Sequence, residues 1–164
     1  MSDDTDLVAT PSQTVGPFFH FGVTTPLGRS GAASAGGDRV HVTVSVLDGD
    51  GAPLDDALVV FWHRTSGGGL AECGRAQTDK TGTCAIETVQ PAGHINVCLF
   101  ARGLLRHLYT RIYFPDSPAN DGDPVLALVP AGRRPTLFAR PDGHGHWQFD
   151  IHLQGPVETV FFDQ

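Results

Sequence analysis

Several residue types that particular classes of protein require are scarce in this 164-residue sequence. It has three cysteines, Cys73, Cys84 and Cys98, which cannot all pair within the chain and form no C-x-x-C motif. We interpret them as small buried thiols in a reducing compartment. Positive charge is scarce too, because 11 Lys and Arg residues oppose 18 Asp and Glu residues, for a net charge of −7. Nucleic acids and anionic membranes need clustered positive charge, so neither is an expected partner.

Long apolar runs and recognisable targeting signals are also lacking. No uninterrupted apolar segment reaches the length of a membrane span. Residues 1–6 are acidic, which is unlike the start of a signal or transit peptide. We therefore expect a cytoplasmic protein.

The residues that are abundant favour one domain of short strands. The length suits a single hydrophobic core, and 20 glycines and 12 prolines suit frequent turns better than long helices. We assign residues 1–38 to an N-terminal arm and linker that contacts a partner or an active site. Residues 39–164 are assigned to a β-sandwich domain.

The arm combines chain-breaking residues with exposed-looking aromatics. Proline and glycine are dense in residues 10–20 and disfavour a regular helix or a central strand there. Phe18 and Phe19 are nevertheless too apolar to be left in solvent. We predict an extended arm that lies on an apolar surface, either of its own domain or of a partner.

Alternating hydrophobicity predicts the strands of the domain. Val40, Val42, Val44 and Val46 alternate with polar residues, which is typical of a half-buried strand. Further short strands or apolar segments are predicted at 57–62, 83–88, 94–102, 108–114, 147–153 and 157–162, with one helical turn in 133–140. Many short strands at this spacing indicate an all-β sandwich.

The most informative strand begins with His94 and has Asn96 two residues later. Residues i and i+2 of a strand project to the same face, so His-x-His could clamp a metal, whereas His-x-Asn is a poor ligand pair. The only tyrosines, Tyr109 and Tyr113, both come after this strand. No nucleophile motif such as G-x-S-x-G accompanies His94, so we predict a structural histidine and no catalytic residue.

A second group of histidines lies near the C-terminus. His144, His146, Asp150 and His152 are close in sequence, and the last three can share one strand face. Their spacing matches no closed zinc pattern, and glycines flank His144. We expect a solvated turn rather than a metal site.

Two arginines each allow a structural and a functional interpretation. Arg102 follows an apolar strand and precedes Gly103, where the backbone must turn. It is either exposed and paired with a nearby carboxylate, or a contact for an anionic ligand, because the planar guanidinium suits carboxylates. Arg111 lies between Tyr109 and Tyr113, and we predict that its guanidinium packs on their rings.

The sequence resembles the intradiol ring-cleaving dioxygenases over nearly its whole length. The resemblance is carried by residues 10–19, 94–103, 108–114, 123–126, 133–134 and 154–162. The first two segments are similar to the iron-free subunit of those family members that consist of two homologous subunits. The resemblance implies an intradiol dioxygenase-like β-sandwich with an extended N-terminal arm, paired with a homologous beta subunit in an alpha-beta unit and a higher oligomer.

The resemblance also implies where the cofactor is bound. In this family a mononuclear Fe(III) is held by two tyrosines and two histidines, and in the two-subunit members all four belong to the beta subunit. His94 matches the first histidine and Asn96 replaces the second, so both are degenerate iron-site positions. No tyrosine stands in the loop after Trp62 or between Thr88 and His94, where the ligand tyrosines should come. We expect this chain to bind no metal and to be inactive alone.

A substrate pocket at the interface of the two subunits is the further implication. Thr14, Gly16, Pro17 and Arg102 match the residues that complete a pocket for 3,4-dihydroxybenzoate (protocatechuate). The reaction that the resemblance implies is cleavage of the ring of this substrate by O2 to give 3-carboxy-cis,cis-muconate. Segments around 28–37, 65–73 and 89–93 are shorter than expected for the family, so the outer cavity is expected to differ.

Two alternatives remain open at this stage. One is a stand-alone β-sandwich binding module of the transthyretin-like kind, which suits residues 44–62 but does not explain the arm at 10–19. The other is an autonomous iron enzyme whose ligands lie elsewhere in the chain.

Overall fold

The period-two pattern of the sequence builds two antiparallel-rich sheets that pack on each other. The computed structural model describes residues 9–23, 38–65, 73–143 and 145–163, apart from the side chain of His20. The strands are β1 Arg39–Leu47, β2 Leu58–Trp62, β3 Cys73–Gln77, β4 Thr83–Val89, β5 His94–Phe100, β6 Leu108–Tyr113, β7 Arg140–Pro141 and β8 His146–His152. Sheet 1 has the order β4-β1-β8-β7 and sheet 2 the order β3-β2-β5-β6. The predicted all-β sandwich is confirmed.

Sheet 1 is organised around β1. This strand pairs antiparallel with β4 and parallel with β8. Its four valines, Val40 to Val46, are at most 2% exposed and face the core, as their alternation predicts. The partner strands contribute Ile86, Phe149 and Ile151 to the same apolar layer.

Sheet 2 turns one face to this core and leaves the other available for a site. Ile95, Val97 and Leu99 of β5 are fully buried against sheet 1. The intervening residues His94 and Asn96 therefore project from the opposite, outer face. On this outer face β5 is flanked by β2 and β6, both antiparallel to it.

Helical structure is limited to short segments. They are α1 Phe19–Val23, α2 Pro124–Leu128 and two 3-10 turns at Pro118–Gly122 and Arg134–Leu137. The turn at Arg134–Leu137 falls inside the predicted 133–140 segment. No helix among the described ranges is both long and apolar enough to cross a bilayer.

The N-terminal arm departs from the prediction of a fully extended segment. It forms α1, whose first residue Phe19 donates its N–H to the carbonyl oxygen of Gly16 at 3.1 Å. Pro17 lies in the turn before the helix, where the missing N–H of proline costs nothing because it would be unpaired anyway. The division into an arm, 1–38, and a domain, 39–164, stays a prediction.

Other element predictions were corrected at their ends. β5 ends at Phe100 instead of residue 102, and β3 and β7 were not predicted. Residues 157–162 form no regular strand; Phe162 makes only an isolated bridge to Tyr109. The segment was predicted as a strand because it is apolar, although its apolar residues do not alternate strictly. It forms no continuous ladder with a neighbouring strand.

The cysteines follow the prediction in two cases of three. Cys84 and Cys98 are buried, whereas Cys73 at the start of β3 is exposed. Burial raises the pKa of the Cys84 thiol to about 12, with a smaller contribution from the negative charge of Asp79. Cys84 is therefore an unreactive core residue at neutral pH.

Candidate functional site

The outer face of sheet 2 carries polar residues at both ends of β5 and an apolar groove between them. We call the end with His94 and Asn96 the degenerate end, and the end with Arg102 the arm end. The groove has a volume of about 350 Å³. It is lined by Phe19, Val23, Leu58, Val60, Trp62, Arg75, Cys98, Phe100 and Tyr109.

Strand register assembles the degenerate end. His94 pairs with Tyr113 across the β5–β6 ladder, and Asn96 pairs with Arg111. All four side chains consequently share the outer face, with the rings of His94 and Tyr113 5.2 Å apart. Asn96 donates from Nδ2 to the carbonyl oxygen of Trp62 at 3.3 Å, so its amide is already engaged.

Asp123 joins this cluster from the start of α2. Its Oδ1 accepts the backbone N–H groups of Val125 at 2.8 Å and Leu126 at 2.9 Å, which is a helix N-cap. Its Oδ2 lies 3.2 Å from His94 Nδ1 and 3.4 Å from Arg111 Nη1. One carboxylate thus ties the helix, the histidine and the arginine together.

The charge states of this cluster follow from burial and from its neighbours. Burial opposes ionisation of Asp123, but hydrogen bonds from the Leu126 and Val125 N–H groups, then the charges of His94 and Arg111, hold its pKa below the usual value. Burial, followed by the positive charge of Arg111, lowers the pKa of His94, although Asp123 acts in the opposite direction. His94 is therefore neutral at pH 7, and Asp123 is ionised.

Arg111 contacts different groups from those predicted. Its Nη1 donates to the Tyr113 hydroxyl at 3.2 Å, and its guanidinium carbon lies 5.7 Å from the ring centre of Phe162. The prediction that it packs on the tyrosine rings is wrong, because the isolated bridge between Phe162 and Tyr109 brings a third ring over the arginine.

The residues at the degenerate end do not fit a ferric ion. Fe(III) prefers hard anionic oxygen ligands, whereas His94 and Asn96 offer one neutral imidazole and one amide. The nearest carboxylate, Asp123, is occupied by a helix N-terminus and by Arg111. Among the described residues, no group of three or more His, Cys, Asp or Glu side chains is arranged to hold a metal.

The C-terminal histidines lie on sheet 1, away from this site. His146, Asp150 and His152 alternate along β8, as their parity predicted. Asp150 accepts a hydrogen bond from Arg140 at 2.5 Å, and the His146 ring stacks on His41 with 4.8 Å between ring centres. His144 lies outside the described residues.

At the arm end, the arm lies on its own domain. The Thr14 hydroxyl oxygen accepts the backbone N–H of Gly103 at 2.8 Å, just after Arg102. Gly103 has φ 90°, a conformation that favours glycine and makes this turn possible. The ring of Phe19 packs 5.5 Å from that of Phe100. Thr14 and the Arg102–Gly103 turn, predicted to act together, are therefore neighbours.

The middle of the arm projects outward from these anchors. Gly16, Pro17 and Phe18 are exposed. Phe18 is 76% exposed and Phe21 62% exposed, and their rings stack on each other with centres 6.0 Å apart. Arg75 holds the end of α1 by donating from Nη1 to the Val23 carbonyl oxygen at 3.2 Å. The arm thus presents backbone and aromatic surface at the edge of sheet 2.

Arg102 is paired with carboxylates in this chain. Its Nε donates to Asp56 Oδ2, and its Nη2 lies 3.8 Å from Asp55 Oδ1. The arginine side chain is 55% exposed. This is the first of the two interpretations that the sequence left open, and a contact of Arg102 with an anionic ligand stays a prediction.

Three residues of the site were not predicted to belong to it. Asp123 has a signal that could have found it, because an aspartate before a proline is typical of a helix start. Asp56 and Phe162 carry no local signal, since their contacts depend on strand register and on the path of the C-terminal segment.

Comparison of the sequence with characterised proteins finds two relatives along almost the whole chain. The chain is 40% identical to the protocatechuate 3,4-dioxygenase alpha chain of Burkholderia cepacia over 198 residues, covering 97% of this chain and 99% of that one. The alpha chain of Pseudomonas putida is 35% identical over 195 residues, with 96% and 97% covered. The Burkholderia cepacia beta chain is 28% identical, with 75% and 67% covered. No protein-family model matches the sequence.

Solved structures with the same fold are intradiol dioxygenases. The dioxygenase domain of a carbohydrate-binding fusion protein from Streptomyces sp. SirexAA-E superposes with a TM-score of 0.59 at 28% identity, covering 93% of this chain and 100% of that one. Catechol 1,2-dioxygenase from Acinetobacter sp. ADP1 has a TM-score of 0.59 at 18% identity, covering 80% and 61%. The latter likeness concerns the fold alone.

These comparisons weigh against one of the two alternatives that the sequence left open. A transthyretin-like binding module is not favoured, because both alpha-chain relatives match the arm as well as the sandwich. The likeness to the beta chain is weaker in identity and in coverage. The chain belongs to the family of protocatechuate 3,4-dioxygenase alpha chains, within the intradiol dioxygenases.

Proposed function

We propose that this chain is the subunit of a protocatechuate 3,4-dioxygenase that binds no iron and that completes the substrate pocket of a homologous beta subunit. The chain and the beta subunit form an alpha-beta unit in the cytoplasm that acts in aromatic catabolism. The observation that carries the proposal is the Thr14–Gly103 hydrogen bond, because it joins the arm to the turn bearing Arg102. Gly16 and Pro17 follow Thr14 within three residues, so the proposal groups all four predicted pocket residues at the arm end.

The assignment of iron to the partner rests on the degenerate end of this chain. A neutral His94, an amide at Asn96 and the guanidinium of Arg111 supply no anionic ligand for Fe(III). Ferric iron held by the beta subunit would supply the chemistry by which O2 opens the ring between its two hydroxyl-bearing carbons to give 3-carboxy-cis,cis-muconate.

The contribution of this chain to the reaction is orientation. Gly16 and Pro17 bring backbone close to the flat ring without a bulky side chain, and so form one wall. Arg102 offers its exposed Nη groups to the substrate carboxylate. A wall and one charged contact fix the position of a flat aromatic substrate and keep water from its face, which lowers the entropic cost of reaching a reactive geometry.

The exposed aromatics of the arm support a protein partner. Phe18 and Phe21 stack on each other yet remain largely in solvent in the single chain. A stacked apolar pair at the edge of a proposed pocket is the type of surface that another protein covers. The partner we propose for it is the beta subunit.

Co-expression with a beta chain tests the proposal directly. We expect the two chains to co-purify, and the complex to consume O2 with protocatechuate while this chain alone does not. Iron content should follow the beta chain, measured by metal analysis of each purified species. Stoichiometric iron bound by this chain alone, or ring cleavage without the beta chain, would establish the autonomous enzyme instead.

A further inference from the structure

We propose that Asp56 is a positioning residue that holds Arg102 by its Nε, so that the Nη end of the guanidinium points outward to receive the substrate carboxylate. This inference rests on the proposed function, because it assigns a supporting residue to the pocket argued above. It makes a distinction between two adjacent aspartates that have the same charge and different roles.

Strand register brings Asp56 to Arg102. β2 and β5 pair antiparallel, with Leu58 opposite Phe100 as the last pair. Asp56 lies in the turn before β2 and Arg102 in the turn after β5, so this pairing brings the two turns side by side. The contact between the two side chains thus follows from the pairing of the strands that these turns adjoin.

Asp56 is a fixed group at one end of this pair. Its side chain is 15% exposed, whereas that of Arg102 is 55% exposed. Thr78, itself 2% exposed, ties down the turn that carries it: the Thr78 hydroxyl accepts the Ala57 N–H at 2.9 Å and donates to the Leu54 carbonyl oxygen at 2.6 Å. The partly buried carboxylate is held by this turn and orients the more exposed guanidinium.

The backbone of Arg102 is held from the other side. Ala101 is 1% exposed, and the Leu104 N–H donates to its carbonyl oxygen at 3.3 Å to close the turn. The Gly103 N–H is engaged by the Thr14 hydroxyl. With its backbone fixed by this turn and its Nε by Asp56, the arginine has few rotamers left, and the entropic cost of binding a ligand falls.

The remaining donors of the guanidinium face outward. Asp55, 58% exposed, lies 3.8 Å from Nη2, which is beyond hydrogen-bond distance. Among the described residues, no acceptor lies within hydrogen-bond distance of Nη1. A carboxylate binds an arginine best through two parallel N–H groups, and the Nη1 and Nη2 groups are free to provide them. A substrate carboxylate competes with Asp55 and leaves the Asp56 contact intact.

The test compares Asp56→Ala with Asp55→Ala in the assembled alpha-beta complex. Each variant removes one negative charge beside Arg102. A pure charge effect lowers the KM for protocatechuate in both. Positioning predicts a rise in only one of them: Asp56→Ala raises the KM roughly 5-fold with kcat within about 2-fold, as expected for one charge-assisted hydrogen bond, and Asp55→Ala leaves the KM unchanged or lowers it.

Catechol, which lacks the carboxylate, separates positioning from general damage. Its KM, or its inhibition constant against protocatechuate, should be unchanged in Asp56→Ala. Asp56→Asn keeps an oxygen that accepts from Nε, and we expect a smaller rise confined to protocatechuate, of about 2-fold. If Asp56→Ala does not assemble, the substrate selectivity of Asp56→Asn decides the question alone.

Two results would overturn the inference, and they differ from failure of the proposed function. An equal change for both substrates, or no rise for protocatechuate in either Asp56 variant, removes the positioning role. Arg102→Ala is the reference. If Arg102→Ala raises the KM for protocatechuate alone and the Asp56 variants do not, only the role of Asp56 is misassigned. If Arg102→Ala changes the KM for both substrates equally, the proposed contact of Arg102 with the carboxylate fails.

Discussion

Two arginines on the same face of sheet 2 have opposite environments. Arg111, 23% exposed, is enclosed at the degenerate end by Asp123, the Tyr113 hydroxyl and the Phe162 ring. Arg102, 55% exposed, has one firm partner, Asp56, and presents the rest of its guanidinium to solvent. An enclosed arginine holds protein segments together, whereas an anchored but exposed one is available to a ligand. We therefore assign a structural role to the position that resembles a metal site, and we propose that this chain acts at the arm end.

The largest effect is expected from substitution of Asp123, the residue at the centre of the degenerate end. Asp123→Ala should lower the free energy of unfolding by about 3 kcal/mol, because it deletes a helix N-cap and leaves the partly buried Arg111 without its carboxylate partner. Chemical denaturation monitored by circular dichroism measures it. Asp121→Ala, an exposed aspartate of the preceding 3-10 turn, is the matched control and should change stability little. Similar losses in both variants would refute the structural role of the degenerate end.

The exposed arginine should affect substrate binding rather than stability. In the alpha-beta complex, Arg102→Ala should raise the KM for protocatechuate on the order of 10-fold or more, because it removes a charged hydrogen-bonding partner. Steady-state oxygen consumption measures this, with catechol as the substrate that lacks a carboxylate. Arg106→Ala, another exposed arginine near the turn, is the control. Equal effects on protocatechuate and catechol would remove the distinction between the two arginines.

The free energy of unfolding should depend on pH because His94, at the degenerate end, has a lowered pKa in the folded chain. The pKa of His94 is below its usual 6.5 in the folded chain, so the unfolded state binds more protons as the pH falls through 6.5. The free energy of unfolding therefore decreases as the pH is lowered from 6.5, by at most about 1.4 kcal/mol per pH unit from this residue. Asp123, with a lowered pKa, stays ionised here and loses its contribution only below its unfolded value of 3.8.

Denaturation at several pH values between 5 and 7 (about the range in which an ordinary histidine titrates) tests this assignment. His94→Gln should flatten the slope, because the variant has no proton to take up at that position. A slope that persists in His94→Gln would show that another group controls it.

The smallest expected effect concerns the arm. Thr14→Val removes the acceptor for the Gly103 N–H while keeping the shape of the side chain. Loss of one neutral hydrogen bond at an exposed site should raise the KM about 3-fold, for protocatechuate and catechol alike, because the wall loosens and the charge contact remains. Thr14→Ser keeps the hydroxyl and should restore the wild-type values. A rise for protocatechuate alone would place Thr14 in the carboxylate contact instead.

Much of the fold was predictable because its signals are local. The alternation from Val40 to Val46 identified β1, and the apolar runs at 57–62 and 94–102 identified the central strands of sheet 2. The segment at 157–162 was misread because apolar content alone does not distinguish a strand from a chain end packed against a sheet. The helix α1 was missed because five residues give too short a pattern, and Pro17 precedes it instead of interrupting it.

Only some of the site residues could be predicted from the sequence. His94 and Asn96 on one strand, the Thr14–Pro17 segment and Arg102 are legible from spacing and resemblance, since each is a feature of a short continuous stretch. The partners that give these residues their roles are distant in sequence: Asp56 is 46 positions from Arg102, and Thr14 is 89 positions from Gly103. Such contacts depend on which strands pair and in which register, and that is settled by the burial of the two apolar faces against each other.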